Sequence, residues 1–208
     1  MILYHHPLST NCRRVTMTAA YLGLPLEEKT IDFTMGDHKT PEYLAMNANG
    51  MIPTLTDGDF KLWESRAIIQ YLAGKKPERG MLGKNEREQA DVMRWILWDT
   101  AHLSRHAGTV LYETVIKKLF DMGPPDDALI KPALEQIRRF YGVLDTHLKG
   151  RKYLVGDSLT LADLSVSATF TYADRMPVSL DEYPNIKAWL TRITALDCWK
   201  KTQPTFAA

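Results

Sequence analysis

Cysteine is scarce in this chain: two among 208 residues, Cys12 and Cys198, near opposite ends. Two so placed support neither a disulfide framework nor a cysteine-built zinc site, and they suit a reducing compartment. Long apolar runs are also missing, and no stretch approaches the roughly 20 residues needed to cross a bilayer. The opening "MILYHHPLSTNCRRV" has no basic region leading into an apolar core, so no secretory leader is expected. Charge of one sign is not in excess, since 26 Lys and Arg against 25 Asp and Glu leave a formal net charge of +1. Without a basic surplus, counterion release cannot drive nucleic-acid binding. What remains is an expected soluble, cytoplasmic protein with no nucleic-acid or membrane partner.

Hydrophobic residues make up 45% of the sequence, enough over this length for one large core or two modest ones. Up to about residue 76 the hydrophobic period keeps switching. "MILYH" reads as a short buried strand, and "CRRVTMTAAYLG" puts Val15, Ala19 and Leu22 at helical spacing with Gly23 as a stop. "LPLEEKTIDF" predicts a second strand with Leu26 and Ile31 toward the core. In "TPEYLAMN" Thr40 caps a short helix that Pro41 opens. "PTLTD" and "FKLW" around Gly58-Asp59 predict a hairpin. "ESRAIIQYLAGKK" then predicts an amphipathic helix burying Ala67, Ile68, Tyr71 and Leu72. The order β-α-β-α-β-β-α gives a mixed four-stranded sheet flanked by helices.

"GKKPERGMLGKN" is rich in turn residues and reads as a linker. Nothing beyond it reads as a strand. Helices are predicted over 85–122 with a break or bend near Gly108, over "DDALIKPALEQIRRFYGVLDTHLKG" despite Pro132, and near 160–175 and 184–196. The expected organisation is an α/β domain over 1–76, a linker over 77–84 and an all-helical domain over 85–208. In "SLTLADL", Thr160 and Asp163 have the spacing of a capping box flanked by Leu159 and Leu164. That pattern specifies the fold rather than supplying a catalytic acid.

The combination "NANGMIPTL…LWESRAIIQYL", followed by a helical region containing "SLTLAD", resembles the cytosolic glutathione transferases over almost the whole chain. The resemblance implies a thioredoxin-like N-terminal domain and an all-α C-terminal bundle. It implies conjugation of glutathione to small hydrophobic electrophiles, a detoxification chemistry carried out by a cytoplasmic homodimer, with glutathione as co-substrate and no metal. It also implies a cis peptide before Pro53, turning the Ile52 backbone toward the cysteinyl residue of the tripeptide. Glu64 and Ser65 would hold the γ-glutamyl end. His38 and Lys39 stand where related enzymes place cationic groups for the glycyl carboxylate. Met51 precedes the Ile52-Pro53 step where relatives carry a histidine or lysine, so a basic contact there is missing.

The reactive corner is "HPLSTNCRRV". Ser9 matches the catalytic serine of theta-like and delta-like transferases. Against nu-like bacterial members, which use a threonine and an asparagine two places on, the same window selects Ser9 and Asn11. Thr10 competes with Ser9. Cys12 raises the mixed-disulfide chemistry of beta-like and omega-like members, but it stands farther from the strand than their cysteine and reads as a buried residue of the first helix. His5 and His6 lack a third ligand of matching spacing, so no metal is expected. The electrophile site is expected to draw on Tyr4 and Leu8 and on Trp98, His102 and His106, with Trp199 or Phe206 as cover; the aromatic residues read equally as core. A glutathione-dependent disulfide or peroxide reductase, and a non-enzymatic binding relative, are the alternative functions.

Overall fold

In the computed structural model, residues 1–205 are described. The chain divides into two compact units: Met1–Leu82 together with the segment from Ala195 onward, and Gly83–Thr194.

The first unit is built on four short strands, β1 (Ile2–His5), β2 (Glu27–Thr30), β3 (Thr54–Asp57) and β4 (Phe60–Trp63), in the order β2-β1-β3-β4. β1 and β2 run parallel, whereas β1–β3 and β3–β4 are antiparallel. The register sets Leu3 opposite Leu55, both without solvent exposure. Edge strand β2 carries only "EEKT", all exposed, and its charges discourage pairing with another chain. Ile31, just beyond it, is buried as expected, while Leu26 is only half-buried.

Helix α1 (Thr10–Leu22) buries Val15, Ala19 and Leu22. It ends at Gly23, whose φ of 67° lies in the left-handed region that favours glycine. The short α2 (Pro41–Leu44) starts at Thr40, whose hydroxyl accepts from Tyr43 N. Helix α3 (Ser65–Gly74) buries Ile68, Ile69, Leu72 and Ala73. Ala67 and Tyr71, expected inside, are half-buried; Tyr71 instead donates to Asp57 at 2.8 Å. Each fully buried aliphatic side chain contributes about 1.5–3 kcal/mol.

The last helix, α10 (Asp197–Lys201), packs on α1. The guanidinium of Arg13 lies 3.9 Å from the centre of the Trp199 ring and donates to the Trp199 carbonyl and to Gln203. Residues 195–205 therefore group with the first unit, whereas the helical region was expected to run over 85–208.

In the second unit, α4 (Glu86–Trp98), α5 (Ser104–Leu111) and α6 (Lys117–Leu119) follow one another through wider π-type turns at Asp99–Leu103 and Tyr112–Ile116. The irregularities lie there, and Gly108 sits in regular helix. Helix α7 (Asp127–Leu148) carries Pro132 as its sixth residue, inside the helix, so the Ala128 carbonyl goes without its usual main-chain donor. Helices α8 (Leu161–Ala168) and α9 (Pro184–Thr194) complete the unit. The Thr160–Asp163 capping box is present. Asp163, without solvent exposure, accepts from Thr160 N, Thr160 Oγ1, Leu154 N and Trp189 Nε1 at 2.9–3.1 Å. Burial pushes its carboxyl up, and those four donors pull the other way.

Asp163 thus ties α8 to α9 and to the segment before it. Replacing Asp163 by Ala strands several buried donors and is expected to lower unfolding stability by about 3 kcal/mol or more. Urea denaturation of parent and variant checks this; equal midpoints and slopes would reduce Asp163 to a bystander.

Candidate functional site

The turn from β1 into α1 holds Ser9 in extended conformation as the helix cap. Its Oγ accepts from Cys12 N at 3.3 Å, which leaves the hydroxyl proton for another acceptor. Asn11 follows in the first turn of α1, where unpaired main-chain N–H groups give the helix a positive end. Cys12 is buried at 1% exposure, and burial raises its thiol to about 11. Ser9 and the charge of Arg14 act in the opposite direction without overcoming that burial. The two histidines of the corner have local tasks. His6 Nδ1 accepts from Leu8 N at 3.3 Å, and His5 Nε2 lies 3.1 Å from Glu28. Burial lowers both imidazoles, so the neutral form His6 needs as an acceptor is favoured. Among the described residues, no group of three or more His, Cys, Asp or Glu side chains could hold a metal ion.

A second wall comes from the loop before β3. The Ile52-Pro53 peptide is cis, and Pro53 is buried. The loop is held by a buried polar knot: Tyr43 Oη and Asn47 Nδ2 donate to the Met51 carbonyl at 2.7 and 2.8 Å. Both also reach Thr54 Oγ1, at 2.9 and 3.0 Å. Asn47 Oδ1 accepts from the backbone and side-chain nitrogens of Asn49. Gly50 is required here, because its φ is 60° and a Cβ would stand 3.1 Å from the His38 carbonyl.

The third wall is the start of α3. Glu64 takes φ of 71°, a conformation costing a non-glycine residue about 1–3 kcal/mol. Ser65 opens the helix, and its Oγ accepts from Arg14 Nη1 at 3.1 Å. The same nitrogen donates to Asn11 Oδ1 at 2.7 Å.

These walls enclose a cavity of about 360 Å³. It brings together six residues singled out in the sequence: Asn11, Met51, Ile52, Pro53, Glu64 and Ser65. Asn47, Asn49, Trp63 and Arg66 also line it and were missed, as was Arg14 behind the wall. The Asn11/Arg14 spacing, three residues apart on one helix face, was the legible signal for that last one. Ser9 and Thr10 are outside the lining, at the corner just before Asn11. His38 and Lys39 are outside it too, on a single turn at Asp37–Lys39, with the His38 ring 4.4 Å from that of Phe33.

The remaining expected residues lie elsewhere. Tyr4 sits edge-on to Tyr43 at 6.0 Å, and Leu8 is half-buried in the corner loop. In the helical unit Trp98, His102 and His106 gather around Phe140 of α7, at 6.0, 5.1 and 6.0 Å. Trp199 is buried under Arg13 rather than poised as a cover, and Phe206 lies outside the described residues.

Comparison with known proteins matches residues 3–80 to the glutathione S-transferase N-terminal domain and residues 107–197 to the glutathione S-transferase C-terminal domain. A probable glutathione S-transferase of Oryza sativa subsp. japonica is 34% identical over 197 residues, covering 94% of this chain and 92% of its own. Glutathione S-transferase 3 of Zea mays is 35% identical, covering 96% and 91%. Among solved structures, glutathione S-transferase-I bound with lactoylglutathione superposes with a TM-score of 0.89 at 33% identity, covering 97% of each chain. The glutathione-bound theta-class enzyme of Xanthomonas axonopodis pv. citri gives 0.88 at 26%, covering 99% and 97%. With both domains matched and relatives aligned nearly end to end, the chain belongs to the cytosolic glutathione S-transferase family.

Proposed function

We propose that the protein binds glutathione in the cavity of the first unit and delivers its thiolate to small hydrophobic electrophiles. The observation that carries this is the gathering of Asn11, the Ile52-Pro53 loop and the Glu64-Ser65 helix start around one cavity of tripeptide scale. Bound glutathione and lactoylglutathione in the two structural neighbours support it. Glu64 supplies a carboxylate for the γ-glutamyl ammonium. Ser65 and the N-terminal amides of α3 receive the γ-glutamyl carboxylate. Ile52 offers its main chain to the cysteinyl residue, and no hydrogen bond among the described residues engages that main chain. The sulfur then points to the N-terminus of α1, where Asn11 lines the wall and Ser9 caps the helix. His38 and Lys39, set apart from the wall, receive the glycyl end where it leaves the cavity. Tyr4 and Leu8 border the sulfur side, where the electrophile approaches.

The chemical task is to ionise a thiol whose ordinary pKa is near 8.5. Lowering it by roughly two units takes about 2.7 kcal/mol of preferential thiolate stabilisation. A hydroxyl donor, an amide donor and a helix N-terminus together reach that magnitude. The thiolate attacks an electrophilic carbon, forming the C–S bond and expelling a leaving group or taking up a proton after addition. Positioning and electrostatics supply the rate. A homodimer and cytoplasmic residence accompany this reading; no helix among the described residues is long and apolar enough to cross a membrane. Disulfide exchange through Cys12 is disfavoured by its burial and raised pKa.

Two expectations follow from the corner. Ser9→Ala removes a donor to the thiolate, so the thiol pKa rises. Conjugation of a chloronitroaromatic at pH 6.5 is expected to fall by about tenfold or more and to recover as pH climbs past about 8.5. An unchanged pH–rate profile would take Ser9 out of the mechanism. Cys12, protonated at neutral pH and shielded, is expected to resist a maleimide in the folded protein and to react once urea unfolds it, while Cys12→Ala keeps its conjugating activity. Rapid labelling of native Cys12 with parallel loss of turnover would restore the thiol to the active centre.

A further inference from the structure

The guanidinium of Arg14 has no solvent exposure, yet one of its nitrogens serves two residues of the cavity wall at once. Nη1 donates to Asn11 Oδ1 at 2.7 Å and to Ser65 Oγ at 3.1 Å. Each bond fixes how its acceptor can act. An amide whose oxygen is engaged presents its NH₂ elsewhere, and a hydroxyl whose oxygen accepts an N–H keeps its proton for a second partner. We propose that Arg14 is a positioning residue of the reaction. It holds Asn11 and Ser65 as donors aimed at two anionic groups of the tripeptide, the sulfur at α1 and the γ-glutamyl carboxylate at α3. This rests on the glutathione-binding reading above and extends it to a side chain behind the wall.

Arg13 is the internal comparison. It is also buried, but its donors go to the Trp199 carbonyl and Gln203 at 3.0 Å, and its face stacks on an indole. These contacts hold chain segments together, whereas the two bonds from Arg14 Nη1 meet polar groups at the cavity. The charge of Arg14 also reaches the corner: at the Cys12 thiol, where burial dominates, it acts in the lowering direction. A ligand sulfur on the same turn, less buried, experiences that pull with less opposition.

The test is a double-mutant cycle on glutathione affinity, measured by calorimetry, with Arg14→Met, Ser65→Ala and the double variant. Each single change is expected to weaken binding about tenfold, and the double to stay near tenfold rather than about a hundredfold, because both cut one link. Arg14→Met is expected to move the kcat/KM–pH midpoint upward. Arg14→Lys, which keeps several donors on one nitrogen, should restore affinity to within about threefold of the parent. The other ionisable groups near the site, Glu64, Arg66, His5, His6, Cys12 and Glu28, are unaltered in these variants. Single effects that multiply, or an unmoved midpoint in folded Arg14→Met, overturn the proposal. Should Arg14→Met fail to fold, a cycle of Asn11→Leu with Ser65→Ala takes its place: coupling between these separated residues supports the link, and independence overturns it. A parent protein that evolves no heat with glutathione brings down the binding reading itself, and is seen before any substitution is made.

Discussion

A carbonyl in an irregular loop must find donors, and in this protein the Met51 carbonyl finds two, from Tyr43 and Asn47. Both donors also converge on Thr54 Oγ1 at the start of the central strand. Since an unpaired buried polar group costs about 1–3 kcal/mol, the knot is stable only when all its members are in place. That requirement fixes the loop between α2 and β3 and, through it, the wall that Ile52 and Pro53 present. The sheet carries the loop, the loop carries the cavity, and the helix starts of α1 and α3 supply its polar lining.

Much of this was legible in the sequence, for local reasons. The switching hydrophobic period gave the order of strands and helices. Thr40-Pro41, Gly23 and the Thr160–Asp163 pair gave element ends, because caps act within a few residues. The less legible features depend on distance in the chain. Arg13 and Arg14 are adjacent and chemically identical, yet a 100° turn of helix sends one to Trp199 and the other to Ser65. Neither partner is near in sequence. Asn47 stood at the end of a short helical stretch with no role assigned, and only the fold shows its amide buried against Thr54. The helical irregularity was assigned to Gly108 on composition, whereas the wider turns fall on residues with no breaker character.

The cavity also shows where local preference gives way. Glu64 occupies a backbone region better suited to glycine, and Asn11 and Ser65 share one Arg14 nitrogen across two helices. The helical unit has departures of its own, in the π-type turns at Asp99–Leu103 and Tyr112–Ile116 and in Asp121 at φ of 50°. Trp98, His102 and His106 of that unit are arranged around Phe140.

The first unit is discontinuous, with Trp199 and Gln203 closing over Arg13 after more than a hundred intervening residues. During synthesis, therefore, the N-terminal sheet and its helices emerge long before the piece that covers the buried cation of α1. Until residues 197–203 have emerged, that guanidinium lacks its indole lid and its carbonyl acceptor. Maturation of the first unit is thereby timed by the arrival of α10, and a nascent chain stalled short of residue 199 holds an unfinished first unit however well its strands have paired.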